Sequence, residues 1–202
     1  MTDVAGRIAQ RALAKRGASY AGEVRRLLDA ALEIMRQRGT ASRPRVADIV
    51  SAAGLSNEAF YRHFPSKDAL VAALLEDGTE RLHSYVAHRM SKQDTARDRV
   101  RAWVEGVLSQ ASEDIAATTR AVLWNGREIT AQPPTAGERL ARLLHEPFAE
   151  LGSADPGFDA ALAAHATFGR LAECLWRSVE PGAADVDRVT AFCLRAITSD
   201  AS

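Results

Sequence analysis

The chain is short of cysteine, and its two thiols are badly placed for chemistry. Cys174 and Cys193 fall in separate apolar stretches and form neither a CxxC pair nor a metal-ligand spacing. They read as small buried hydrophobes in a reducing compartment. Long apolar runs are missing too: no stretch approaches the roughly 20 residues of a membrane span. The opening MTDVAGRIAQRALAKRG lacks a secretory apolar region and a cleavage site, so the expected location is the cytosol. Apolar/polar alternation is absent, as are internal repeats and low-complexity tracts, which excludes a strand-built fold. HExxH, GxSxG, a P-loop and a dinucleotide fingerprint are all absent. The histidines at 63, 83, 88, 145 and 165 share no i, i+4 metal spacing. No enzyme, cofactor or metal site is expected. The alternative is an all-helical enzyme or a protein-interaction module without a recognisable site motif.

Net charge is also lacking: 26 Lys/Arg balance 26 Asp/Glu. The balance hides an asymmetry. Residues 1–70 carry 12 cations against 7 acids, and residues 71–202 carry 14 against 19. A basic N-terminal third on a neutral chain suits a local polyanion, because cations that neutralise phosphates release counterions.

What the chain has is helical periodicity. Residues 1–20 form a basic arm that Gly17 ends. In EVRRLLDAALEIMRQRG, Val24, Leu27, Leu28, Ala31, Leu32 and Met35 make a 3.6-residue stripe closed by Gly39. After the linker TASRPR come a short helix at Val46–Ala53, ended by Gly54, and a second from Ser56, a good N-cap, to about His63. Pro65 breaks the chain. Ser66 then caps a helix with Asp68 in its positive first turn, running to about Met90. Further helices are expected at 98–111 and 114–129. The break QPP at 132–134 precedes a helix with a Thr135/Glu138 capping box that Pro147 kinks or ends. Asp155 and Pro156 open a long helix over 158–179, uncharged from Ala160 to Gly169. The last helix covers 185–197.

Two short helices joined by a glycine turn are the unit that places a helix in the major groove of DNA. Ile49, Ala53, Leu55 and Phe60 are spaced to face inward. Ser56, Asn57, Glu58, Tyr61, Arg62 and His63 are left facing out. The longer string RVADIVSAAGLSNEAFYRHFPSKDALVAALL resembles the N-terminal DNA-binding domain of the tetracycline-repressor (TetR) family of bacterial transcription regulators. Ile49, the Ala53–Gly54 turn, Ser56, Tyr61, Phe64, Lys67 and Leu70 carry the likeness, which spans residues 23–75. Arg45, where the family often has Thr, and Glu58, where it usually has a small or neutral residue, depart from it. The resemblance implies that Asn57, Glu58 and Arg62 meet base edges, Arg62 suiting guanine, Asn57 adenine and Glu58 cytosine. Ala59 would touch a thymine methyl. Ser56, Tyr61, His63 and Lys67 would hold phosphates, and Arg45 could reach one. The arm would follow the minor groove or remain a disordered tail.

The implied fold is all-α. A three-helix helix-turn-helix domain at 21–68 follows the arm, and a larger helical regulatory and dimerisation domain fills 69–202. The implied partners are operator DNA, a second copy of the chain and a largely apolar small-molecule effector, with no membrane. The helices at 158–179 and 185–197 would pair with their two-fold mates in a four-helix bundle. Candidate contacts are Phe168, Leu171, Leu175, Trp176, Val189, Phe192 and Ile197. Trp103, Trp124, Asn125, His145, Phe148, His165 and Phe168 combine aromatic walls with sparse polar tips and are the candidate effector pocket. The implied role is a repressor that its ligand releases from a near-palindromic operator.

Overall fold

In the computed structural model the described residues are 4–127 and 135–198, and all regular structure among them is helical. Ten α-helices follow in chain order: α1 Val4–Arg38, α2 Val46–Ala53, α3 Asn57–His63, α4 Lys67–Met90, α5 Ala96–Leu108, α6 Glu113–Gly126, α7 Thr135–Arg142, α8 His145–Glu150, α9 Pro156–Arg177 and α10 Ala183–Thr198. A single 3-10 turn at Ser109–Ala111 joins α5 to the next helix. The chain divides into two compact units, one up to Leu74 and one from Leu75 onward, so the division falls inside α4.

In the first unit, α1 packs on α2 and α3, and α2 packs on α3. The apolar stripe read from the sequence is the buried face: Leu27, Leu28, Ala31 and Met35 are enclosed, as are Ile49, Val50 and Ala53 of α2 and Phe60 of α3. Phe64, Leu70, Val71 and Leu74 are buried too. Gly54 closes α2 in the left-handed region (φ 63°, ψ 39°), and Leu55 N–H donates to Val50 carbonyl at 2.9 Å. That conformation suits glycine, which carries no Cβ to clash. Ser56 Oγ then accepts from Ala59 N–H at 3.1 Å, starting α3. Ser66 Oγ accepts from Ala69 N–H at the same distance, starting α4.

The expected end at Gly17 does not occur, because α1 runs unbroken from Val4. A helix-interior glycine costs about 1 kcal/mol relative to alanine, too little to end a helix by itself. The stretch expected as a separate arm is therefore the first part of α1.

In the second unit, α5 packs on α8, α9 and α10, and α7 and α8 pack on α9. The core holds Val100, Trp103, Val104, Val107 and Leu108 of α5 with Leu140, Leu144, Phe148, Leu171, Leu175 and Leu194. Gly106 lets α5 approach α4, since a Cβ there would lie 2.9 Å from Val86 Cγ2. Asp155 caps α9 through Phe158 N–H at 3.0 Å, with Pro156 as the first helical residue. Arg120 of α6 donates to the Leu175 carbonyl at 2.9 Å, satisfying an end group of α9. Arg99–Glu150 and Arg101–Asp187 ion pairs tie α5 to α8 and α10.

The expected single helix up to Pro147 is in fact two. α7 stops at Arg142, and α8 starts at His145 with Pro147 buried in its first turn. Proline is tolerated there because first-turn N–H groups have no intrahelical partner. The QPP break and the Thr135 side chain of the expected capping box lie outside the described residues. Both cysteines are buried, and burial pushes the Cys193 thiol up to about 11.

Several expected dimer contacts sit elsewhere. Leu171, Leu175 and Ile197 are buried within the unit. Trp176 and Phe192 are exposed, together with Phe158 and Leu162. Phe158, Leu162, His165 and Gly169 follow one another at three- to four-residue spacing, and Trp176 lies on the same face two turns beyond Gly169, so they form one exposed stripe along α9.

Candidate nucleic-acid interface

α3 is a two-turn helix whose faces differ sharply. Phe60 is fully enclosed, against Phe64 with ring centroids 5.8 Å apart. That fixes the helix's rotation and leaves Asn57, Glu58, Tyr61 and Arg62 exposed. Tyr61 is 58% exposed although its ring stands edge-on to Phe60 at 5.3 Å. Ser56 is exposed at the N-cap, and Lys67 is half-buried at the first position of α4.

Two expected site residues do not join this face. Ala59 is buried, so its methyl packs inward and is not presented to a thymine. The His63 side chain is completely enclosed, and its Nε2 lies 2.7 Å from Glu23 Oε2. A carboxylate only accepts, so that ring nitrogen donates. Tyr20 of α1 meets the same ring edge-on, with centroids 4.2 Å apart. His63 therefore fastens the end of α3 to α1 and does not reach out for a phosphate.

Arg62 is also held by Glu23, with Nη2 donating to Oε2 at 2.6 Å. Bonds from His63 and then from Arg62 keep the Glu23 carboxyl below the usual carboxylate range. Sequence reasoning missed Glu23, since it sits on α1 among residues whose spacing reports only the core stripe.

At the start of α2, Arg45 holds the N-cap backbone position without a side-chain cap. Its carbonyl accepts from Asp48 and Ile49 N–H. Arg38 donates to Asp48 Oδ2 at 2.8 Å, drawing the Asp48 carboxyl below its ordinary value. Arg38, Ser42, Arg43, Arg45 and Asp48 line an open polar groove of about 430 Å³. Three arginines beside a helix N-terminus suit a phosphate. The basic linker TASRPR was the only sequence signal for Ser42 and Arg43.

The candidate effector residues lie in the second unit but do not form one group. Trp103 and Phe168 are neighbours, with ring centroids 6.1 Å apart, and Trp103 Nε1 donates to the Leu140 carbonyl at 2.8 Å. Phe148 is fully buried in the core. Asn125 is buried, with Nδ2 donating to the Ala121 carbonyl and Oδ1 unpartnered. Trp124 lies under the Arg127 guanidinium. His145 and His165 are exposed, and His165 Nδ1 lies 2.6 Å from its own helix's Ala161 carbonyl.

A short recognition helix with a polar outward face, seated on a three-helix core, defines a helix-turn-helix DNA-binding protein. The comparisons narrow this class. Residues 27–74 match the family model of bacterial regulatory proteins, tetR family. That stretch of the chain therefore carries the family's DNA-binding domain. Similar solved structures include Escherichia coli NemR in its reduced form, at 17% identity over 89% of this chain and 99% of that one, with TM-score 0.66. A TetR-family transcriptional regulator from Pectobacterium atrosepticum is 24% identical over 89% and 92%, with TM-score 0.57. RolR in complex with the ligand resorcinol is 18% identical over 90% of each chain, with TM-score 0.60. These likenesses concern the fold. No curated protein matches the sequence. Among the described residues no helix is long and apolar enough to cross a membrane.

Proposed function

We propose that the chain is a homodimeric repressor that reads a near-palindromic operator through α3 and leaves it when a small, largely apolar effector binds the second unit. One observation carries the DNA-reading part: Phe60 and Phe64 lock α3 so that Asn57, Glu58, Tyr61 and Arg62 stand on its exposed face. Arg62 is the guanine reader, Asn57 an adenine reader and Glu58 a cytosine acceptor. Tyr61, Ser56, Lys67 and Arg45 hold the backbone, joined by Ser42 and Arg43 of the α2 groove.

The dimer forms through α9 and α10, whose exposed Phe158, Leu162, Trp176 and Phe192 exceed what a solvated helix pair needs. The effector reading is supported by the Trp103–Phe168 pair, by the unpartnered buried Oδ1 of Asn125 and by the ligand in RolR. A ligand that favours one arrangement of the dimer shifts the population toward it. α4 belongs to both units and is the covalent route for that signal.

DNA selection from a random library, followed by titration of variants, tests the reading. Arg62→Ala should relax preference at one base pair per half-site, about 1–3 kcal/mol of discrimination. Lys67→Ala should weaken all duplexes alike and reduce the salt slope by about one. Unchanged binding by both variants sinks the assignment.

A further inference from the structure

The pair between Glu23 and Arg62 joins two residues 39 apart in sequence and lies at the exposed edge of the reading helix. A single carboxylate oxygen of Glu23 receives both Arg62 Nη2 and His63 Nε2. The anchor is itself restrained. The Glu23 side chain is 22% exposed, the His63 ring is enclosed, and Tyr20 closes over that ring. Arg62 is different: its side chain is 53% exposed, and its bond to Glu23 uses one terminal nitrogen of a guanidinium with five N–H donors.

A free arginine samples many rotamers and loses that freedom when it meets a base edge. An arginine held at one nitrogen has already lost much of it. Its planar fork then arrives in one orientation, which bidentate pairing with guanine requires. The acid has a second effect, because a carboxylate close to the DNA surface repels phosphates of every sequence.

We infer that Glu23 is a positioning residue for base reading, fixing the guanidinium of Arg62 from behind while lowering sequence-independent attraction. This deepens the proposed function and rests on α3 being the DNA-reading helix. The two effects have opposite signs when Glu23 is removed. Preference for the guanine-containing site falls, while affinity for unrelated duplex holds or rises. A side chain that merely props up the fold would lower both together.

The experiment uses the full chain and fluorescence anisotropy on the selected site, on that site altered at the base pair Arg62→Ala relaxes, and on unrelated duplex. Glu23→Ala should reduce discrimination at that base pair by about tenfold, the lower part of the range for a bidentate contact. Glu23→Gln, which keeps a neutral acceptor for His63 and Arg62, should reduce it less. Neither should weaken binding to unrelated duplex. In the Arg62→Ala background both substitutions should leave the remaining base preferences unchanged. If Glu23→Ala fails to fold, Glu23→Gln decides.

Unchanged discrimination in the Glu23 variants, beside an effective Arg62→Ala, overturns the inference alone. So does a joint loss of discrimination, unrelated-duplex affinity and melting temperature. A chain whose duplex binding ignores both salt and Arg62→Ala overturns the DNA-reading assignment, and the inference with it.

Discussion

Phe60 decides more than its own burial. It is fully enclosed at the centre of a two-turn helix, so its ring sets both the depth and the rotation of the reading face. Two turns cannot hold themselves together in water, and α3 exists because packing holds it. Phe60→Ala should therefore cost about 3–5 kcal/mol, a large fraction of what a unit this small can have. The expected result is loss of amide protection across the first unit and loss of DNA binding. Native hydrogen exchange checks it, and a head that keeps its protection would show that α3 is held by something else. At this scale the site was only half legible in the sequence. Exposed and buried positions of a regular helix follow from spacing, which gave Phe60 and Arg62 correctly. Ala59 and His63 did not follow, because a small residue and a polar-tipped ring fit either side of a helix. Their placement depends on α1, whose Glu23 and Tyr20 receive the His63 ring.

Helix ends carry the next level of organisation. Gly54 sits at φ 63° with open space where a Cβ would project, so Gly54→Ala meets backbone strain and no clash. The left-handed conformation costs an alanine about 1–2 kcal/mol. The expected outcome is a lower melting temperature with the reading face unaltered, so that selected and altered sites keep their affinity ratio at low temperature. A changed ratio would mean that the turn had moved α3. Boundaries with local chemistry were readable in advance: Ser56, Ser66 and Asp155 are each observed accepting from a first-turn N–H. Boundaries without it were not. α1 passes through Gly17 because one glycine is a small penalty in a 35-residue helix. The separation of α7 from α8 comes at Leu143 and Leu144, two good helix formers whose sequence announces nothing. Leu144 is fully buried there, and its carbonyl accepts from Phe148 N–H at 2.9 Å, so tertiary packing sets the break.

For the whole molecule the decisive question is how many reading helices act together. The sequence supplied the helices at 158–179 and 185–197 as the dimer element, but among its seven candidate contacts it offered Leu171 and Leu175 alongside Trp176 and Phe192. Burial separates the two kinds, because Leu171 and Leu175 serve the subunit's own core while Trp176 and Phe192 remain at the surface. A carboxylate on the exposed set leaves the core untouched and makes a two-fold interface bring like charges together. The double variant Trp176→Asp/Phe192→Asp should therefore keep its helical content and become monomeric by sedimentation. Each copy would then grip one half-site alone. Linking two binding events raises apparent affinity by about 10²–10⁴ through effective concentration. Operator affinity should fall by a factor in that range, while affinity for an isolated half-site should barely change. That contrast is diagnostic: damage to α3 would weaken both ligands equally, and loss of pairing weakens only the full operator. A variant that sediments as a dimer would move the interface off this stripe and leave the exposed aromatics of α9 and α10 to another partner.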